Sequence, residues 1–316
     1  EPSCVAMRRV AVAGGTGLIG RPLVEALLQR GDEVVVVGRS RARIEEAFGQ
    51  RVTAETYETL TAELCSSLDA VVNLTGENVG AAWRWTEGIK QQILDSRLKV
   101  TTALAKLVAG GGSRTRLLNG SGISIYGHQE DDDTAVKDED TEVPQSHPDF
   151  LTDVSIQWEA AATSCVPAER LVLLRIGIVL CPGEGALGKM ELPFKLGMGG
   201  RLGSGEQCMS WITLEDSVQA LLFLLDHPEV AGPVNLVSGY VPQISFAEAL
   251  ASALHRPCVL PAPAFALRLV LGADMAKALV LSSHRVEPKR LKAAGFTFAD
   301  QDLGAALRRL YGRPLA

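Results

Sequence analysis

A doubly wound α/β fold is what this sequence predicts: a parallel sheet flanked by helices, followed by a smaller C-terminal region. Three observations predict it. The run EVVVVG (Glu33–Gly38) is β-branched without polar alternation, as a strand buried on both faces of a parallel sheet reads. It follows VAVA (Val10–Ala13), a glycine-rich turn and a segment of helical period, so strand, helix and strand fall within about 30 residues. The alternation of strand-like and helix-like stretches then recurs along the chain.

Taken in order, Leu18, Ile19, Leu23, Val24, Leu27 and Leu28 keep a helical period, and Gly31-Asp32 closes that helix. AVVNLTG (Ala70–Gly76) reads as a strand running into a loop, and Thr86–Leu107 as a helix. RLLNGSGISIYG (Arg116–Gly127) is another strand entering a loop, Asp149–Ser164 a helix, and ERLVLLRIGIVL (Glu169–Leu180) a single strand. The acidic stretch His128–Pro144 reads as a solvated surface loop. From Cys181 to Trp211 the chain is glycine-dense with scattered apolar residues, a texture expected to line a cleft. A helix (LEDSVQALLFLLDHP) and a strand (GPVNLVSG) follow, and Ala266–Leu281 reads as an amphipathic helix kinked at Gly272.

The chain has 316 residues, 47% apolar and 22% charged, enough for a large core. A net charge of −6 supplies no basic field, which argues against nucleic acid or an anionic membrane as the main partner. Six cysteines lie scattered without a CxxC, a pattern of free thiols in a reducing compartment. No apolar stretch reaches the roughly 20 residues of a membrane span. EPSCVA, before Met7, has no signal-peptide character and fits a trimmed precursor or a cloning remnant. The expectation is a soluble protein of the cytoplasm or of an organelle matrix or stroma.

The glycine turn carries the chemistry. Gly14, Gly17 and Gly20, with Gly15, follow a buried-type strand and open a helix. Such glycines let the backbone turn tightly and approach a pyrophosphate, while helix N–H groups face the phosphates. The end of the second strand selects the dinucleotide. An NAD site places a carboxylate there for the ribose 2′-hydroxyl. Here Gly38, Arg39 and Ser40 stand instead, an arginine fork and a hydroxyl that suit the 2′-phosphate of NADP(H). Arg41 and Arg43 read as a solvated basic loop. Residues 7–180 are therefore expected as a Rossmann-type NADP-binding domain with a return segment near 205–240. Residues 181–316 are expected as a mostly helical substrate or lid region.

By this point the chain carries a family likeness. GGTGLIG, NLTGEN, SRLKVTT, SGISIYG, FLTDVSIQWEAAA, LRIGIVLCPGEGALGKM, LGSGEQCMSWI and EPKRLKAAGF occur in that order. Together they resemble an atypical branch of the extended short-chain dehydrogenase/reductases, labelled sugar-nucleotide epimerase-like or cell-division-inhibitor-like, with a small extra C-terminal domain. The resemblance implies NADP(H) at the carboxyl ends of the strands. Gly14, Gly15, Thr16, Gly17, Leu18 and Ile19 would cover the pyrophosphate, and Gly38, Arg39 and Ser40 the adenosine phosphate. Leu74, Thr75 and Gly76 would pass beside the cofactor, Gln92 and Arg97 reach it from a helix, and Ser121 and Ile178 lie along it.

The catalytic positions depart from that family. Its usual pair is a tyrosine and a lysine in YxxxK, the lysine lowering the phenol pKa for proton transfer. None of Tyr57, Tyr126, Tyr240 and Tyr311 has a lysine four residues on. Aligned on Trp158-Glu159, the tyrosine position holds Leu151, the lysine position Ser155, and the usual hydroxyl position Gly122. The replacements on offer are Tyr126, flanked by Ser121 and Ser124, and Glu77, a carboxylate or simply a loop contact. His128 reads as solvated and Trp158 as core. Arg201, Lys189 and Lys195, with Trp211 as a stacking ring, suit an anionic or sugar-like ligand. Three readings stand: an NADP(H)-dependent oxidoreductase or epimerase with unusual acid–base groups, a non-catalytic NADP(H)-bound sensor or scaffold with protein partners, or a division or assembly factor on the family label alone. No metal is expected.

Overall fold

The computed structural model describes residues 7–111, 114–129, 133–145 and 149–312. The leading segment with Cys4, and part of the acidic stretch, lie outside the described residues. The chain alternates β1 (Arg9–Ala13), α1 (Gly20–Arg30), β2 (Glu33–Gly38), α2 (Arg41–Phe48), β3 (Thr53–Thr56), α3 (Ala62–Ser66) and β4 (Ala70–Asn73). It continues with α4 (Glu87–Gly110), β5 (Arg116–Gly122), α5 (Phe150–Thr163), β6 (Leu171–Ile176), β7 (Ile178–Leu180), α6 (Gly185–Lys195) and β8 (Cys208–Thr213). Then come α7 (Leu214–Asp226), β9 (Gly232–Leu236), β10 (Gly239–Pro242) and α8 (Gln243–Ala253). The chain closes with α9 (Ala264–Leu271), α10 (Ala273–Leu279), α11 (Lys289–Ala293) and α12 (Leu303–Gly312).

The main sheet has seven parallel strands in the order β3-β2-β1-β4-β5-β6-β9. The chain winds outward from β1 to β3, then returns to lay β4 on the other side of β1. That reversal leaves a crevice at the carboxyl ends of β1 and β4, where doubly wound sheets take their ligands. The unbroken valine run of β2 explains itself in the packing. Val34 and Val36 join the core under α1 and α7, and Val35 and Val37 the core under α4 and α5.

The second sheet, β10-β8-β7, packs on α6, α8 and α12 through Leu187, Phe194, Phe246, Leu250 and Leu307. Its first strand is hidden in the sequence, because Glu169–Leu180 reads as one strand. The structure breaks it at Gly177, whose N–H bonds to Leu236 O, and β7 leaves the main sheet to pair with β8. The glycine-dense stretch holds a helix as well as loops: Leu187, Glu191 and Phe194 keep a helical period and are buried in α6. The expected kink at Gly272 is a full break between α9 and α10. Between the two strands of the second sheet, α7 packs in the main sheet's core and β9 adds its last strand, while β8 and β10 stay in the second sheet. Leu291 and Phe298 return to that core a second time.

One tertiary feature lies beyond any local pattern. Residues 280–287 form a strap between the second sheet and the loop after β5. Cys208 O accepts from His284 N–H, Ser210 Oγ donates to His284 O, and Gln129 N–H donates to Ser283 O. Arg285 N–H donates to Gln129 Oε1 (2.7 Å), and Lys137 and residues 285–287 exchange backbone bonds. The described residues of the acidic stretch are accordingly stitched down, not simply solvated. Glu139 is 5% exposed and accepts from Asn235 N–H and Arg290 N–H, and Lys289 pairs with Asp138 and Asp140.

Candidate functional site

β1 ends in a turn that only glycine fits. Gly14 has φ +79°, and a Cβ there would lie 3.0 Å from the Leu74 carbonyl. A Cβ on Gly20 would lie 2.2 Å from Gly14 O, so the first turn of α1 rests directly on the glycine turn. Gly17 N–H closes the turn onto Gly14 O at 2.9 Å. Ile19, at the N-cap, offers no side-chain cap, and the first turn of α1 holds no acidic residue. A helix start left uncapped beside such a turn is suited to an anion. Thr16 and Gly17 are exposed on its rim, and Leu18 meets Gly185 at the start of α6.

On one flank, after β2, Arg39 is largely exposed and its Nη1 lies 3.1 Å from Glu77 Oε1. Ser40 caps α2, its Oγ accepting from Arg43 N–H at 3.4 Å. Arg41 opens α2, so the basic residues lie on a helix and not in a loop, and it pairs with Glu55. On the other flank, after β4, fully buried Asn73 locks the turn. Its Oδ1 accepts from the Thr75 hydroxyl (2.6 Å) and its Nδ2 donates to Asn119 Oδ1 (2.7 Å). Gly76 then lies against the Arg97 guanidinium, where a Cβ would be 3.0 Å from Cζ.

Arg97 is the unusual cation. It is 9% exposed, donates to Ile93 O and Glu77 O, and stacks on Trp158 at 4.9 Å. No carboxylate pairs with it among the described residues. Burial pushes its pKa down to about 10, which leaves it charged at neutral pH. Gln92 is exposed on the same helix, and Trp158 is core, its Nε1 donating to Thr101 Oγ1 at 2.8 Å.

The carboxyl end of β5 is a buried polar chain. Ser121 Oγ donates to Glu159 Oε1 (2.8 Å), and Glu159 takes Arg175 in a two-pronged pair (2.9 Å each). Arg175 donates to the Tyr126 hydroxyl (3.0 Å), which donates to Asn235 Oδ1 (2.8 Å). This corrects the expectation of a phenol presented to a ligand. Tyr126 is 5% exposed with both hydroxyl functions engaged, and burial pushes its pKa up. The Ser121 hydroxyl is likewise committed to Glu159. Trp211 is also corrected: at 1% exposure it packs in the second sheet's core and is no stacking platform. Ile178 is half-buried beside it in the register of β7 and β8. Lys195 pairs with Glu191, whereas Lys189 is exposed and faces Gly80.

At the lysine position of YxxxK, Ser155 Oγ lies 2.8 Å from Ser124 Oγ beside Gly122, and Leu151, at the tyrosine position, is half-buried. Two alcohols do not ionise near neutral pH. Sequence reasoning missed a hydrogen-bonded serine and histidine on the strap, Ser282 Oγ and His284 Nε2 at 2.6 Å. Burial first, then neighbouring His128, pushes the His284 pKa down to about 4, so its imidazole is neutral. His128 is placed as an acceptor from Ser283 N–H (3.2 Å), 155 residues along the chain, and nothing local could announce that contact.

Comparison with known proteins agrees with this architecture. A model described as the NAD dependent epimerase/dehydratase family matches residues 10–237, and a domain of unknown function, DUF1731, matches residues 262–310. An epimerase family protein of Mycobacterium bovis is 38% identical over 311 residues, covering 96% of this chain and 98% of its own. Epimerase family protein SDR39U1 of Homo sapiens is 36% identical over 307 residues, covering 96% and 99%. The crystal structure of human SDR39U1 (isoform 2) with NADPH superposes with a TM-score of 0.85 at 34% identity, covering 97% of this chain and 100% of that one. A nucleoside-diphosphate sugar epimerase from Corynebacterium glutamicum gives 0.75 at 25% identity, covering 98% and 60%. No helix among the described residues is long and apolar enough to cross a membrane. The chain belongs to the NAD dependent epimerase/dehydratase family of extended short-chain dehydrogenase/reductases, in the SDR39U1-like group that carries a DUF1731 domain.

Proposed function

We propose that this chain binds NADP(H) across the β1–β4 crevice and acts with it as an oxidoreductase or epimerase on a small anionic or sugar-like molecule. The observation that supports this reading is the cradle itself. Gly14 and Gly20 leave no room for a Cβ, the start of α1 is uncapped, and Arg39 stands at the end of β2. Gly14–Ile19 would hold the pyrophosphate, and Gly38 with Arg39 the 2′-phosphate. Leu74, Thr75 and Gly76 would form the wall beside the cofactor, and Ile178 would lie toward its far end. When bound, the dinucleotide supplies or accepts hydride. The residues of this chain position and shield it: buried Arg97 offers a positive charge with no carboxylate partner among the described residues, and Gln92 an exposed amide on the same helix. The NADPH in the human relative's crystal structure favours this cofactor, and the sugar-nucleotide epimerase neighbour favours the substrate class.

A second reading is an NADP(H)-bound sensor or assembly subunit without turnover. The specific observation in its favour is the Ser124–Ser155 pair and Leu151 at the proton-transfer position, with Tyr126 committed elsewhere. The dinucleotide that co-purifies, released by denaturation and identified with its redox state, separates the two. NADP(H) that exchanges freely with added NADPH supports the oxidoreductase; one equivalent that resists exchange supports the sensor. NAD in the site, unaffected by Arg39→Ala, overturns the cofactor assignment in both.

A further inference from the structure

The ion pair between Arg39 and Glu77 joins two loops that belong to different strands. β2 and β4 lie on either side of β1, so the loops after them flank the glycine turn. The pair at 3.1 Å therefore runs across the end of the crevice where the adenosine of a dinucleotide enters. Glu77 does not reach it by chance of a loose loop. Its N–H donates to Ser96 Oγ at 3.0 Å, and its carbonyl accepts from Arg97 Nη2 at 3.1 Å. Both backbone groups of Glu77 are thus clamped to α4, and its carboxylate is delivered to a fixed place opposite Arg39. The two side chains are 77% and 49% exposed, so the pair opens at little cost and an anion can reach the guanidinium.

We propose that Glu77 is a charge gate on the 2′-phosphate site: its carboxylate holds Arg39 until a 2′-phosphate displaces it, and retakes Arg39 as the ligand leaves. This rests on the NADP(H) reading above. The gate acts by competition. A 2′-phosphate is a dianion that offers Arg39 more than one carboxylate does, so the exchange favours NADPH while lowering its net affinity. A ribose 2′-hydroxyl does not draw Arg39 away, so NADH leaves the pair in place. Glu77 therefore sets how tightly NADPH binds and how fast it leaves, and it does no acid–base chemistry.

The test is direct binding to the intact chain, read by NADPH fluorescence, calorimetry and stopped-flow release, with no turnover required. Glu77→Gln and Glu77→Ala should each tighten NADPH by about two- to fivefold, the range an exposed ion pair allows. The gain should appear mainly as slower release. NADH should change by less than about twofold, and the gain should shrink as salt screens the charges. Arg39→Ala should weaken NADPH, and adding Glu77→Gln to it should then change nothing further. NADPH that binds the unaltered chain but is unmoved or weakened by both Glu77 variants overturns the gate while leaving the cofactor reading intact. So does a Glu77 effect that persists in the Arg39→Ala background. NADPH that binds neither the unaltered chain nor the Glu77 variants overturns the cofactor reading, and the gate with it.

Discussion

The two halves of the crevice are built by opposite means. The half at β1, β2 and β4 is made of close backbone approaches: glycine on carbonyl, helix start on turn, Gly76 on a guanidinium. The half at β5, α5 and the strap is made of side chains that satisfy one another: Ser121, Glu159, Arg175, Tyr126, Asn235, and then Ser124 with Ser155. The first keeps groups free for a ligand. The second consumes most of its hydrogen-bonding groups internally, buried His284 Nδ1 being an exception, which rigidifies it and leaves little for proton transfer. A site can thus be prepared for a cofactor on one side and structurally sealed on the other.

Breaking the sealed half should cost most. Glu159→Ala leaves Arg175 buried without its partner and should lower stability by about 3–5 kcal/mol, read by urea unfolding. Gly20→Ala attacks the open half. Its methyl would meet Gly14 O at 2.2 Å, a backbone atom that cannot step aside, and the cost should approach about 3 kcal/mol with loss of NADPH binding. Thermal melts with and without NADPH check both effects, and a variant that keeps ligand stabilisation contradicts the cradle.

The pH dependence sharpens the contrast. The folded-state pKa of His284 lies at about 4, below the usual 6.5, because burial and then His128 disfavour the charged form. Its neutrality therefore contributes stability that is present above about 6.5 and lost as pH falls from there toward 4, at most of order 3 kcal/mol. His284→Gln should flatten that part of the stability profile relative to the unaltered chain. A profile with the same slope in both would place the acid sensitivity elsewhere. The smallest effect is expected of Tyr126→Phe, about 1–2 kcal/mol from groups left unpaired, with NADPH affinity unchanged. Where turnover is found, a hundredfold fall in this variant would return Tyr126 to the chemistry.

The contrast also explains what the sequence discloses. The open half depends on the absence of side chains at short spacing, so GGTGLIG and the valine run after it announce it directly. The sealed half depends on partners far apart in the chain: Tyr126 meets Asn235, 109 residues away, and Arg175, 49 away. A tyrosine in a loop after a strand looks available until those partners are placed. Glu77 is similar; the sequence shows a carboxylate after a strand, and only the fold shows Arg39 opposite it. The break at Gly177 is silent in the sequence because β6 and β7 are equally apolar, and the change of sheet is set by Leu236 and β8.

The strap has a consequence for how this chain is made. Residues 280–287 bond to His128, Gln129, Asp133 and Lys137 and to Gln207, Cys208 and Ser210, so those earlier positions lack these partners while they are being synthesised. Emerging from the ribosome, the chain can complete β1 to β4 early, with the glycine turn between them. The β5 side must wait about 150 residues for its tie to arrive, the kind of distant closure that slows folding. During that interval Gln129, Cys208 and Ser210 are without the strap bonds they finally make, so this side of the crevice is the last to close.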